Sequence, residues 1–178
     1  MEESPITKHV LVATDGSDKA REAVTMAANL AKSLGTRLTI LHVILHGLRA
    51  KEASHLAEAE HLVRRVSAVT LPQLERIPTS MGELFRASQG RISEMVSVLG
   101  NRITEDAAES ARSIGVSGVD TRVEPGDYAE TILAVAEEIG ADMIVVGSRG
   151  LGRLKGMLVG SVSQKIIQHA HCSVLVVR

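Results

Sequence analysis

The residues best placed to do chemistry lie in one glycine-dense stretch, Gly147-Ser148-Arg149-Gly150-Leu151-Gly152-Arg153-Leu154-Lys155-Gly156-Met157-Leu158-Val159-Gly160-Ser161. An apolar run precedes it and an amphipathic one follows, so it joins the end of a strand to the start of a helix. The opening amides of a helix are unpaired and sit at the positive end of its dipole, which favours a phosphate there. Glycines let the backbone take positive φ and let a ligand approach the peptide N–H groups closely. The Ser161 hydroxyl adds a donor. Arg149, Arg153 and Lys155 offer charge that offsets phosphate or serves solubility alone. Two better-known phosphate loops are excluded. No Gly-Lys-Ser/Thr triplet exists, and Gly147, Gly150 and Gly160 do not fall at the dinucleotide-fingerprint offsets. A second polar group, Asp15 in Ala13-Thr14-Asp15-Gly16-Ser17, closes the first apolar run and suits either a ligand or a helix cap.

These groups need a scaffold that brings strand ends together. His9 to Ala13 reads as a buried strand, and Ala20, Ala23, Val24, Ala27, Leu30, Ala31 and Leu34 recur at helical spacing after it. Asp15 or Ser17 caps that helix and Gly35 ends it. Arg37 to Val43 is the second strand and Val116 to Val123 the third. Asp127 caps a helix facing inward through Ile132, Val135, Ala136 and Ile139, with Gly140 as its stop. Ala141 to Val146 is the fourth strand, Ser161 to His169 a short helix, and Ser173 to Val177 the last strand. Near-continuous apolar strands alternating with amphipathic helices require a parallel sheet covered on both faces. The expected fold is therefore α/β, a doubly wound five-stranded parallel sheet forming one domain over 1–178. In such sheets ligands bind at the carboxyl ends of the strands, where strand order reverses.

The middle of the chain exceeds one crossover. Leu56, Ala59, Leu62, Val63, Val66 and Val69 make an apolar stripe that predicts a helix over 49–70, followed by turns at Pro72 and Pro78. A second helix over 83–113 is interrupted at Gly90 or Gly100, and its later part crosses to the third strand. A helical insertion at about 47–90 follows, packing either on the domain or on a partner.

Composition removes other classes. Lys+Arg number 20 and Asp+Glu 21, so no polybasic surface for nucleic acid follows. Phe85 and Tyr128 are the only aromatic residues, too few for a base-stacking platform. The N-terminus is acidic, without an apolar signal core, and no apolar run approaches a membrane span. One cysteine, Cys172, rules out an internal disulfide and fits a reducing compartment. The expectation is a cytoplasmic protein that binds neither membrane nor nucleic acid.

The spacing Gly, two residues, Gly, nine residues, Gly-Ser resembles the nucleotide-binding signature of the universal stress protein family, and the order of strands and helices resembles that family over about 7–46 and 115–178. The resemblance implies an adenine-nucleotide (ATP, or AMP/ADP) site. In it Asp15, beside Ala13 and Thr14, reaches the ribose or a phosphate-bound Mg²⁺. Val43 meets adenine through its backbone. Gly147, Ser148, Arg149, Gly150, Gly160 and Ser161, with the Val162 N–H, hold ribose and phosphates. It also implies a homodimer through the C-terminal strand and a regulatory or protective role in stress. Ser173 stands where the family often has proline, a departure at the dimer edge.

Other readings compete. His42 with His46, and His169 with His171 and Cys172, lack the paired spacing of a zinc site. Cys172 reads as a half-buried structural thiol more readily than a redox one. Ser161 has no local base and no nucleophile elbow occurs, so catalysis reduces to slow ATP hydrolysis with Asp15 as the sole candidate base. A vestigial site on an interaction module is the remaining alternative.

Overall fold

Central strands rich in valine, leucine and isoleucine must be covered on both faces, and the computed structural model, which describes residues 7–44, 92–150 and 159–178, shows how. In chain order the elements are β1 (His9–Ala13), α1 (Asp18–Leu34), β2 (Arg37–Ile44), α2 (Ile92–Ile114), β3 (Val119–Pro125), α3 (Tyr128–Glu138), β4 (Met143–Gly147), α4 (Ser161–His169) and β5 (Ser173–Val177). The strands form one parallel sheet in the order β3-β2-β1-β4-β5. The chain builds outward from β1 to β2 and β3, then returns to the other side of β1 for β4 and β5. The doubly wound α/β sheet expected from the sequence is present.

Side chains alternate across the sheet with period two. Val10, Val12, Leu38, Ile40 and Val145 face α1 and α2. Leu11, Leu41, Val43, Ile144 and Val146 face α3 and α4. Helix α1 buries Ala20, Ala23, Val24, Ala27, Ala28 and Ala31, a face almost without bulk, so its backbone rides close to the sheet.

Glycine ends three helices in one way. After α1, the Gly35 N–H donates to the Lys32 carbonyl and Thr36 N–H to Ala31. After α2 the pairs are Gly115 to Arg112 and Val116 to Ala111, and after α3 Gly140 to Glu137 and Ala141 to Ala136. Each glycine has positive φ, the Schellman arrangement that satisfies the last carbonyls. This corrects the expected start of β3. Val116 is spent on closing α2, so the strand begins at Val119 and runs on to Pro125.

Helix α2 is unbroken at Gly100, so that expected interruption is absent. A Cβ there would stand 2.9 Å from Val123 Cγ1 and 3.0 Å from His42 Cδ2, so glycine lets the helix cross tightly over β2 and β3. The predicted helix over 49–70, the turns at Pro72 and Pro78, and the possible break at Gly90 lie outside the described residues.

Candidate functional site

Strand order reverses between β1 and β4, and the carboxyl ends of these neighbours flank the crevice where ligands bind in open α/β sheets. Thr14, Asp15 and Gly16 leave β1 on one side. Ser148, Arg149 and Gly150 leave β4 on the other, and Gly160 returns the chain to α4. The fold thus brings together the two groups singled out in the sequence.

On the β1 side, Ser17 and not Asp15 is the helix cap, accepting the Ala20 N–H at 3.2 Å. Asp15 Oδ1 accepts the Ser17 N–H at 3.0 Å, which fixes the carboxylate in a tight turn. Thr14 Oγ1 accepts the Gly16 N–H at 3.2 Å within the same turn. Gly16 itself has φ 79, the left-handed region.

On the β4 side, the positive φ expected of the glycines is absent among the described residues. None of Gly147, Gly150 and Gly160 has φ in the left-handed region. Gly147 and Gly150 are needed for close approach, whereas a Cβ on Gly160 would meet only ordinary contacts. A Cβ on Gly147 would stand 3.1 Å from the Lys19 carbonyl oxygen, in the first turn of α1, and 3.2 Å from that of Arg149. A Cβ on Gly150 would stand 2.5 Å from Asp15 Oδ2, so this glycine makes room for the carboxylate across the crevice. Gly160 donates its N–H to the Ser148 carbonyl at 2.7 Å, which folds the loop back onto its own start. Buried Ser148 donates its N–H to the Val177 carbonyl at 2.6 Å.

Gly160 occupies the N-cap of α4, and among the described residues no side chain caps that helix. The first bond back into the helix is from the Gln164 N–H to the Gly160 carbonyl. The amides of Ser161, Val162 and Ser163 therefore precede the hydrogen-bonded ladder, at the positive end of the dipole. Ser161 is exposed and Val162 half-buried, as are Ala13 and Asp15. Arg149 and Gly150 are exposed, whereas Thr14 and Val43 are buried. Arg153 and Lys155 lie outside the described residues.

Two contributors were not foreseen. The Ser163 hydroxyl donates to the Gly147 carbonyl at 2.8 Å, tying α4 to the end of β4. His42 Nδ1 lies 2.8 Å from the Thr14 carbonyl, which can only accept, so Nδ1 carries the proton. A histidine within the apolar run of β2 was the visible signal. Burial pushes the His42 pKa below its usual 6.5, outweighing the Thr14 carbonyl and the Asp15 charge. His9, bonded through Nε2 to Thr39 Oγ1 at 2.8 Å, is also lowered, first by burial and then by Arg37. An unfolded chain takes up these protons at higher pH than the folded one, so their effect on stability is absent above about pH 6.5 and grows as pH falls below it. Urea denaturation should give a lower midpoint at about pH 5.5 than at about pH 7.5.

Among the described residues no three of His, Cys, Asp and Glu converge as a metal site. Cys172 is half-buried beside Leu133, Ala136 and Ile144, and burial followed by the Asp142 charge pushes its thiol pKa up, away from the reactive thiolate. No helix among the described residues is long and apolar enough to cross a membrane.

The family model described as the Universal stress protein family matches residues 7–178. This chain belongs to the universal stress protein family. Universal stress protein YxiE of Bacillus subtilis is 36% identical over 169 residues, covering 95% of this chain and 97% of that one. A universal stress protein solved in complex with cAMP shares the fold at a TM-score of 0.62, with 22% identity over 97% of this chain and 98% of the other. The universal stress protein from Archaeoglobus fulgidus in complex with dAMP gives a TM-score of 0.60 with 16% identity, over 97% and 99%. Those two likenesses establish the shared fold. The universal stress protein match also spans 47–90, the stretch that the sequence pattern set apart as an insertion.

Proposed function

We propose that this universal stress protein binds an adenine nucleotide, ATP or AMP/ADP, in the crevice between β1 and β4, and acts in the cytoplasm as a regulatory or protective module in the stress response. The observation that carries this reading is the set of amides opening α4, which Gly160 and Ser163 tie to the end of β4, the strand paired with β1, at whose end Asp15 is held in its turn. Amides and dipole favour the phosphates. Asp15 takes the ribose, and Ala13 and Val43 line an apolar wall for adenine, with the Val43 backbone reading the base. Mg²⁺, where present, is carried by the phosphates. Relatives of the same fold solved with cAMP and dAMP support an adenylate as the ligand class.

The C-terminal strand supports a homodimer. Among the described residues β5 is the sheet's outer strand beyond β4, and Val174 to Val177 are only half-buried in the single chain. An apolar strand with an open edge is stabilised by pairing with a second copy.

Gly160→Val tests the pocket. Its backbone, φ -72 and ψ 161, suits valine, and a Cβ meets the Ser148 carbonyl at an ordinary 3.5 Å, so the variant should fold. The added branches crowd the opening of α4, and adenylate affinity by calorimetry should fall at least about tenfold. Unchanged affinity would displace the ligand from this crevice. Mass spectrometry of nucleotide released from the purified protein identifies which adenylate it is.

A further inference from the structure

The last rung joining β1 to β2 runs from the Thr14 N–H to the Leu41 carbonyl, at 2.9 Å. In a parallel ladder the next rung would run from the N–H two residues further along β2, that of Val43, back to the Thr14 carbonyl. Alternation along β2 agrees. The Ile44 carbonyl accepts the Gly126 N–H and so is turned toward β3, which turns the Val43 peptide groups the other way, toward β1. Yet among the described residues no hydrogen bond joins Val43 to Thr14. The Thr14 carbonyl is taken by the His42 side chain at 2.8 Å.

We propose, on the adenylate reading above, that His42 is a positioning residue for the pocket: its Nδ1–H draws the Thr14 carbonyl out of the ladder and leaves the Val43 N–H open to the ligand's base. The geometry makes the imidazole hard to replace. His42 is 4% exposed, and Gly100 of α2 lies so close that no side chain fits between helix and ring. The ring is thereby held from the side opposite to the carbonyl it binds. A donor at this depth also spares the carbonyl the cost of being buried unpaired. The same bond fixes the peptide that leads into Asp15, so one side chain sets both the base-reading amide and the start of the carboxylate turn.

Two variants separate this role from packing. His42→Leu keeps the bulk and removes the donor. His42→Asn loses part of the ring but keeps a donor nitrogen on Cγ, where Nδ1 stands. Adenylate affinity, measured by calorimetry with AMP and ATP on protein shown to be folded by circular dichroism, should drop about tenfold in His42→Leu and stay within about threefold in His42→Asn. In the ligand-free protein, amide exchange at Val43 should slow about tenfold in His42→Leu as the missing rung forms, and stay unchanged in His42→Asn. Equal losses of affinity in the two variants, or no change at the Val43 amide in His42→Leu, overturn the proposal. Wild-type protein that takes no adenylate overturns the functional reading instead, and the exchange measurement still upholds or overturns the hold of His42 on Thr14.

Discussion

Alanine at Gly147 should cost the protein about 2 kcal/mol of stability, read from urea or thermal denaturation. The reason lies in backbone on both sides. The new Cβ would stand 3.1 Å from the Lys19 carbonyl oxygen and 3.2 Å from that of Arg149, and neither can swing away as a side-chain tip would. To relieve the contact, the first turn of α1 must lift from β4. The alanine face of α1 then loses its fit against Val10, Val12 and Val145. Gly160→Ala supplies the contrast. There the Cβ meets the Ser148 carbonyl at 3.5 Å with φ at -72, so stability should hold or rise by a few tenths of a kcal/mol through the less flexible unfolded chain. Two glycines of one motif thus give opposite outcomes. Equal losses at both would mean that the loop, and not the approach of α1, demands glycine at Gly147.

Alanine at Gly150 should do the reverse, leaving the fold nearly intact and lowering adenylate affinity by about tenfold to a hundredfold. Its Cβ would stand 2.5 Å from Asp15 Oδ2, a distance no real pair keeps, but the intruded atom is the end of a short side chain that can rotate. Rotation sacrifices the bond from the Ser17 N–H to Oδ1, worth about 1 kcal/mol, and takes the carboxylate from where a ribose would meet it. A double-mutant cycle with Asp15→Ala decides whether this is the route. When Gly150 acts through Asp15 alone, the double variant binds no more weakly than Asp15→Ala, whereas additive losses place the effect on the loop itself.

Strand and helix positions were legible wherever local pattern governs them. The apolar runs at Val10–Ala13, Leu38–Val43, Ile144–Val146 and Val174–Val177 became strands, and Gly35 and Gly140 ended their helices as their positive φ allows. The start of β3 was misjudged because Val116, β-branched and apolar, is spent on the end of α2, a bond pattern that propensity does not register. Asp15 and the glycine segment were singled out by residue type, and only the family resemblance joined them in one site; the structure sets Gly150 beside Asp15 at the ends of paired strands. Why glycine is needed there was not legible. The answer involves Lys19 and Asp15, far away in sequence, and close approach between distant segments leaves no local periodicity. His42 was hidden for the same reason. Its spacing to His46 drew attention to metals, while its partner is a carbonyl on the neighbouring strand.

β1 comes at the beginning of the fold, and its neighbour across the crevice is β4, with Val10 opposite Met143 and Val12 opposite Val145. The two lips of the pocket are thus made far apart in the order of synthesis. A growing chain on the ribosome, or one cut short after β3, has β1 and its turn but nothing to face them. Pairings of such long range also form late in folding. A small molecule that recognises only the closed crevice therefore adds its binding energy to finished molecules alone, and sets them apart from partial ones in the face of proteases.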